Sequence, residues 1–229
     1  MRRAVKFLIG AVVVVILVAG GLFAWYVYGD NAPAKPKLSV QGPTATGGPA
    51  TPNGPWVVVR KPDAYVGYRI KELFGDAILK RDAVGRTPTV SGRMMVANGR
   101  VTSVVVTADL RDLDSGRAAR DTYIQDNGLE SNKYPTGKFT LTAPITLPGR
   151  AERGQTVHTK ATGRLSLHGV TQPLTLDLDA RWSGPTIEVV GTAPITLADY
   201  KIDAPDTVIA KVDDHGSIEI KLVFVPGSH

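Results

Sequence analysis

Four histidines and a run of aspartates are the side chains in this sequence best suited to ligating a metal or moving a proton. Their spacing argues against both. His158 and His168 share one strand parity, but ten residues at about 3.3 Å each place them roughly 30 Å apart on a continuous strand. They point outward, opposite Leu165 and Leu167. His215 falls in a turn sequence and His229 is the last residue. A metal needs its ligands clustered, and these are scattered. Asp109, Asp112, Asp114 and Asp121 have the composition of a calcium loop but not its register. Asp112, Asp114 and Gly116 do not place glycine at the sixth position and glutamate at the twelfth, so a solvated loop is expected. There is no G-x-S-x-G nucleophile elbow, no phosphate-binding glycine loop and no cysteine. The sequence therefore reads as a non-enzyme, with no catalytic residues, no metal site and no cofactor. Arg120-Asp121 is the one polar pair suited to a pocket mouth, since an arginine can hold a phosphate or another polar head. The plainer role, an ion pair fixing a helical segment to a barrel rim, is favoured.

The elements that would have to position any site are strands. In Gly163–Trp182, Leu165 and Leu167 share one face of a first strand. Leu174, Leu176, Leu178, Ala180 and Trp182 share one face of a second, with Thr175, Asp177, Asp179 and Arg181 opposite. Period-two alternation fixes one dry face and one wet face. Gly169 and Pro173 mark the connection. The same pattern recurs at Ala64–Ile70, Val90–Val96, Val104–Leu110, Phe139–Ala143, Val157–Leu167, Ile187–Ala193 and Ile218–Phe224, with turn signals such as Asn98-Gly99 and Ser183-Gly184-Pro185 between runs. The fold class is all-β: an antiparallel, lipocalin-like barrel of about eight strands. One or two short helices are expected, from Lys71–Asp82 and Ser115–Lys133, the latter capped by Asp114 or Ser115 and ended by Gly128. A membrane-spanning barrel is excluded, because Asp177, Asp179, Arg181, Glu219 and Lys221 would face lipid.

Upstream, Phe7–Tyr28 is a charge-free run of 22 residues preceded by Arg2, Arg3 and Lys6. At about 1.5 Å per residue it is long enough for a single transmembrane helix, and the flanking cations place its start in the cytoplasm. An uncleaved anchor is favoured over a signal peptide, whose apolar region is shorter. Residues 29–55 carry six prolines and read as an extended linker, which leaves 56–229 as the folded domain. The net charge of +6 does not indicate nucleic acid. Residues 1–55 hold five of the cations and one of the acids, leaving +2 for the remainder, with no basic stripe.

The inward face is rich in small residues: Gly92, Ala108, Ala143, Ala161, Gly163, Ala180, Gly191 and Ala193. An eight-stranded barrel is just wide enough to be filled by side chains or to hold one small ligand. Small residues either leave volume for such a ligand or make room for Phe139, Trp182 and Phe224.

Several segments in order resemble a known family. They are the Trp56 strand, Tyr65-Val66-Gly67-Tyr68-Arg69-Ile70, Ala83-Val84-Gly85-Arg86-Thr87, and Asp109-Leu110 leading to Arg120-Asp121. Tyr134-Pro135 follows before Phe139, and then Gly163-Arg164-Leu165-Ser166-Leu167-His168-Gly169-Val170-Thr171 with Pro173. Residues 56–225 are similar to the YceI-like family of lipocalin-like, polyisoprenoid-binding bacterial proteins, and to its membrane-anchored actinobacterial-type branch. The resemblance implies an extracytoplasmic domain on the plasma membrane, or a secreted one after cleavage. It implies a long apolar pocket for an isoprenoid-like, polyprenyl or quinone-like lipid, no enzymatic activity, and homodimers as an assembly. Strand parity, not motif, assigns the lining: Val66, Tyr68, Met94, Val106, Leu141, Ala161, Leu165, Leu176, Trp182, Val189 and Ile220, with Arg120 and Asp121 at the mouth. The function expected is binding of that lipid for carriage, storage or sequestration at the envelope. The alternative is an interaction module whose barrel is filled by its own side chains.

Overall fold

The computed structural model describes residues 32–40, 47–74, 79–147, 152–206 and 210–227. Alternating sequences become eleven strands of one antiparallel sheet: β1 (Gly54–Val59), β2 (Tyr65–Phe74), β3 (Leu79–Thr87), β4 (Val90–Ala97), β5 (Arg100–Asp109), β6 (Thr136–Leu141), β7 (Ile145–Thr146), β8 (Thr156–Leu167), β9 (Val170–Trp182), β10 (Ile187–Thr196) and β11 (Ala210–Pro226). Eight of them close a ring in the order β1-β4-β5-β6-β8-β9-β10-β11, because β1 pairs with both β4 and β11. Closure leaves the ring without an unpaired edge.

Two hairpins have two-residue turns, one of them signalled in the sequence by Asn98-Gly99. Ala97 pairs with Arg100 and Leu167 with Val170, so Asn98-Gly99 and His168-Gly169 are two-residue connections. All four residues have positive φ, between 49° and 72°, as a primed turn on twisted strands requires. His168 therefore occupies a turn and not the outward strand position expected of it. Pro173 sits in β9 ahead of the stretch that pairs with β10, Asp177–Trp182, where its missing donor breaks no bond to that neighbour.

The expected helix at Lys71–Asp82 is instead the far half of a hairpin. Lys71, Glu72 and Leu73 pair with Asp82, Arg81 and Lys80, and Lys211 and Val212 of β11 pair with β2 on its other edge. Ladders on both sides satisfy more of the backbone than a short isolated helix could, so pairing overrides local propensity. The second helix is shorter than expected. α1 (Ala118–Tyr123) continues into a π turn, Ile124–Gly128, that ends at the expected glycine. No side chain caps its start. Asp114 accepts from the Gly116 amide at 2.7 Å, and Asp121 from the Ser115 amide at 3.0 Å. Ala143, expected to face inward, follows β6 and is exposed.

The outward face of β2, β3, β9, β10 and β11 carries charges that are not free in solvent. Arg69 Nε donates to Glu219 at 2.5 Å and its Nη1 to Asp82 at 3.0 Å, while Arg181 Nη2 donates to Glu188 at 3.1 Å. Glu219 is fully buried, and Arg69 and Glu188 nearly so. Residues 34–39, within the stretch expected to be linker, lie over this layer. Arg86 Nη2 donates to Ala34 O at 2.7 Å. The Ser39 amide and hydroxyl donate to Glu188 at 2.9 and 2.7 Å, and Arg181 Nη2 to Ser39 O at 2.6 Å. Ala34–His229 form one compact unit. Among the described residues no helix is long and apolar enough to cross a membrane, and the expected span Phe7–Tyr28 lies outside them.

Removing one partner of a buried ion pair leaves the other uncompensated. Glu219→Ala is expected to cost about 3 kcal/mol, at the lower end of that range because Asp82 still faces Arg69. The paired change Arg69→Met with Glu219→Leu should cost less than the single one. Urea midpoints at unchanged slope measure both. A single variant no less stable than the double would show that Arg69 does not depend on Glu219.

Candidate functional site

Register places every lining residue expected from parity on one face of the sheet. Val66 lies opposite Ile220, Tyr68 opposite Ile218, Met94 opposite Val104 and Ala161 opposite Leu176. Val106 lies opposite Phe139, and Phe139 opposite Leu165. Leu141 faces Gly163, Val189 faces Ala180 and Trp182 faces Ile187. What parity could not show is which of them keep surface. Met94, Ala161, Leu165, Leu176, Trp182 and Val189 are buried in the core. Val66, Tyr68, Val106, Leu141 and Ile220 are only partly buried, together with Val104, Phe139, Leu178, Ala180 and Ile218. In the ring, β5 and β6 stand half-way round from β10 and β11, so this incompletely covered surface lies on opposing walls.

Two buried tryptophans stand toward one end of the interior. Trp56 Nε1 donates to Pro52 O at 2.8 Å and Trp182 Nε1 to Gly184 O at 3.0 Å, with the Arg153 guanidinium 5.2 Å over the Trp182 ring. At the other, Leu110, Leu167, Tyr200 and Ile202 are buried in the same core, and His168 ties three segments together. Its ring meets Tyr134 edge-on at 4.8 Å, Nδ1 faces Tyr200 O at 2.9 Å and Nε2 faces Glu130 at 2.7 Å. Glu130 belongs to the connection into β6, and Tyr200 to the 3₁₀ turn Leu197–Tyr200. The hydrogen bond from His168 is the main cause holding the Glu130 carboxyl below the usual glutamate range, with Lys133 adding to it.

The glycines do not supply the room. A Cβ at Gly163 would meet Phe139 Cζ at 2.4 Å, and one at Gly191 would meet Leu178 Cδ2 at 2.3 Å. Large neighbours lie flat over both positions, as the space-filling alternative expects. Surface persists instead where branched side chains face each other across the ring.

The extended β2–β3 hairpin brings charge onto the inward parity, a feature hidden when Lys71–Asp82 is read as helix. Glu72 follows Tyr68 and Ile70 on that face, with Arg81 opposite it. Arg120 of α1 grips Glu72 with two bonds, Nε to Oε1 and Nη2 to Oε2, each 2.8 Å, and Arg81 Nε stands 3.7 Å from the same carboxylate. Arg120 thus ties α1 to β2, and Asp121 braces the loop before α1. The Tyr68 and Ser115 hydroxyls are buried here without a partner. Burial raises the Tyr68 phenol well above its ordinary range, so it stays a donor.

The remaining candidate residues disperse. Asp109 pairs with Arg111, which lowers its carboxyl to about 2, and Asp112 accepts from Thr89 at 2.6 Å. His158 pairs with Asp179 at 2.5 Å on the wet face, and His215 with Asp214 beside the irregularity in β11.

Residues 63–224 match the YceI-like domain family. A UPF0312 protein of Vibrio vulnificus is 29% identical over 153 residues, 63% of this chain and 75% of that protein. One from Vibrio parahaemolyticus is 30% identical over 151 residues, 61% and 72% of the respective chains. A polyisoprenoid binding domain from Saccharophagus degradans superposes with a TM-score of 0.56 at 17% identity, covering 75% of this chain and 98% of that one. Burkholderia cenocepacia BcnA does so at 0.51 and 19%, covering 68% and 95%. At these identities the structural likeness bears on the fold.

Because the Glu130 carboxyl is depressed in the folded state, its bond to His168 stabilises above the ordinary glutamate range, and that contribution disappears as pH falls through the folded value. An NMR titration should find the Glu130 carboxyl changing below about 4.3, and returning to that range in His168→Ala. An unshifted Glu130 in the parent chain would mean that the tie is not formed.

Proposed function

This chain belongs to the YceI-like domain family, and from that premise we propose that its barrel holds a long apolar, isoprenoid-like lipid in its interior. The observation that carries this reading is the pair of opposing apolar walls, Val106 and Leu141 on one side and Val66 and Ile220 on the other, whose side chains keep surface. A chain laid against them would remove that surface from contact with water, at about 25 cal/mol per Å² before the costs of association. The likeness to a domain described as polyisoprenoid binding supports the ligand class. Binding, and not turnover, is the role that fits an interior this apolar. The charge-free run Phe7–Tyr28 behind Arg2, Arg3 and Lys6 supports a domain anchored in the plasma membrane and facing outward. There it would carry, store or sequester the lipid.

The packing at Gly163 and Gly191 favours a second reading, a filled barrel that serves as an interaction module. Lipid extraction separates the two. The detergent-purified full chain should yield a near-stoichiometric polyprenyl species to organic solvent and mass spectrometry. Ala180→Trp, on the inner wall, should lower that yield several-fold, whereas Thr175→Trp, on the wet face, should not. An empty extract from all three folded proteins would favour the filled barrel.

A further inference from the structure

Residues 47–53 precede β1 and lie outside the 63–224 match to the family, yet they are seated on the barrel. Among the described residues, two side chains from elsewhere bond to this segment. Trp56 Nε1, in β1, donates to Pro52 O at 2.8 Å. Arg153, before β8, donates from Nη2 to Pro49 O at 2.8 Å and to Gly48 O at 3.5 Å. The same guanidinium stands 5.2 Å over the Trp182 ring, and Trp182 Nε1 donates to Gly184 O at 3.0 Å. Gly48 rests against that turn so closely that a Cβ on it would stand 2.5 Å from both Gly184 C and Pro185 N. The segment thus reaches from the β9–β10 turn to the start of β1. It is tied to the surroundings of both buried tryptophans, which belong to the interior core.

Composition makes this segment a stiff piece between two pivots. Pro49 and Pro52 restrict the backbone and offer no N–H, so few donors are present to fix it. Gly47 and Gly54 flank it with φ of 116° and 118°, and a Cβ at either would meet nothing within 4 Å. Backbone there has room to rotate. Both sides are tethered: Ser39 upstream is fixed to Glu188 and Arg181, and β1 begins at Gly54. A stiff segment with a pivot at each end, held by one guanidinium and one indole, is built to move as a hinge. We infer that residues 47–53 form a lid over the tryptophan end of the barrel, latched by Arg153, and that lipid enters and leaves the interior at that end. The inference rests on the lipid-binding reading above and gives the lipid its route. Because the lid lies outside the family match, this chain gates the barrel with a segment of its own.

The test uses the detergent-solubilised full chain and tritiated geranylgeraniol, with uptake and release followed separately. A lid that must open for both entry and exit changes the two rates by one factor and leaves affinity alone. Arg153→Ala removes the latch, and Gly48→Ala places a methyl where the β9–β10 turn stands. Each should speed both rates by about ten-fold, the worth of a hydrogen bond from a charged donor, with Kd changed less than about two-fold. Arg164→Ala, on the wet face of β8, should match the parent. Unaltered rates in both lid variants, with thermal unfolding showing them folded, would overturn the inference. So would faster exchange in His168→Ala and in neither lid variant, which would put the route at the opposite end. Faster release without faster uptake would also overturn it, since the segment would then support the barrel and not gate it. If the parent chain takes up no geranylgeraniol, the lipid-binding reading itself fails; if it does and the lid variants behave as the parent, only this inference does.

Discussion

Strand β11 must serve two neighbours along one edge, and the barrel depends on that. It runs from Ala210 to Pro226, longer than any other strand. Residues 223–226 pair with β1 and close the ring, while Ala210–Lys221 pair with β2, and β10 occupies the other edge. Side chains alternate with period two, so a one-residue slip of this strand would turn Ile218, Ile220, Leu222 and Phe224 outward and bring Glu219 and Lys221 into the interior. The register of β11 therefore sets which residues β1, β2 and β10 present inward. Its irregularity between Val212 and Gly216 lets the strand continue along β2 after it has satisfied the ring.

The same strand links interior to exterior. Glu219 stands between two inward residues and is wholly buried on the other side of the sheet, under residues 34–39. Buried charges need partners: Arg69 and Arg86 stand against Glu219, Asp82 against Arg69, and Arg181 against Glu188. Arg86 serves two structures at once. Its side chain holds Ala34, and its backbone exchanges two hydrogen bonds with Asp114, just before α1. The segment after the proposed anchor and the helix beside the polar end of the interior thus meet at one residue.

Inside, the exceptions to apolarity cluster on the β2–β3 hairpin and on α1. Glu72, Arg81 and Tyr68 face inward because that hairpin is strand throughout its described length, and Arg120 completes the cluster from a separate element. The hairpin extends beyond the closed ring, supported on one edge by β11 and pinned by α1.

Alternation by itself determined the all-β class and the shared parity of the residues assigned to the interior, and Asn98-Gly99 signalled its turn, whereas His168 of the turn at His168-Gly169 reads as strand. Each of these depends on residues close in sequence. The hairpin at Lys71–Asp82 was not legible, because a short apolar cluster suits a helix turn as well as a strand, and only pairing with Lys211 and Val212 far along the chain decides between them. Nor could sequence show that Phe139 covers Gly163, that Ser39 bonds to Glu188 across 149 positions, or that Arg120 grips Glu72 with two bonds. Parity gives the face on which a side chain lies. How much of that side chain stays uncovered, and what stands opposite it, depends on the closure of the ring and on partners that only folding brings within reach.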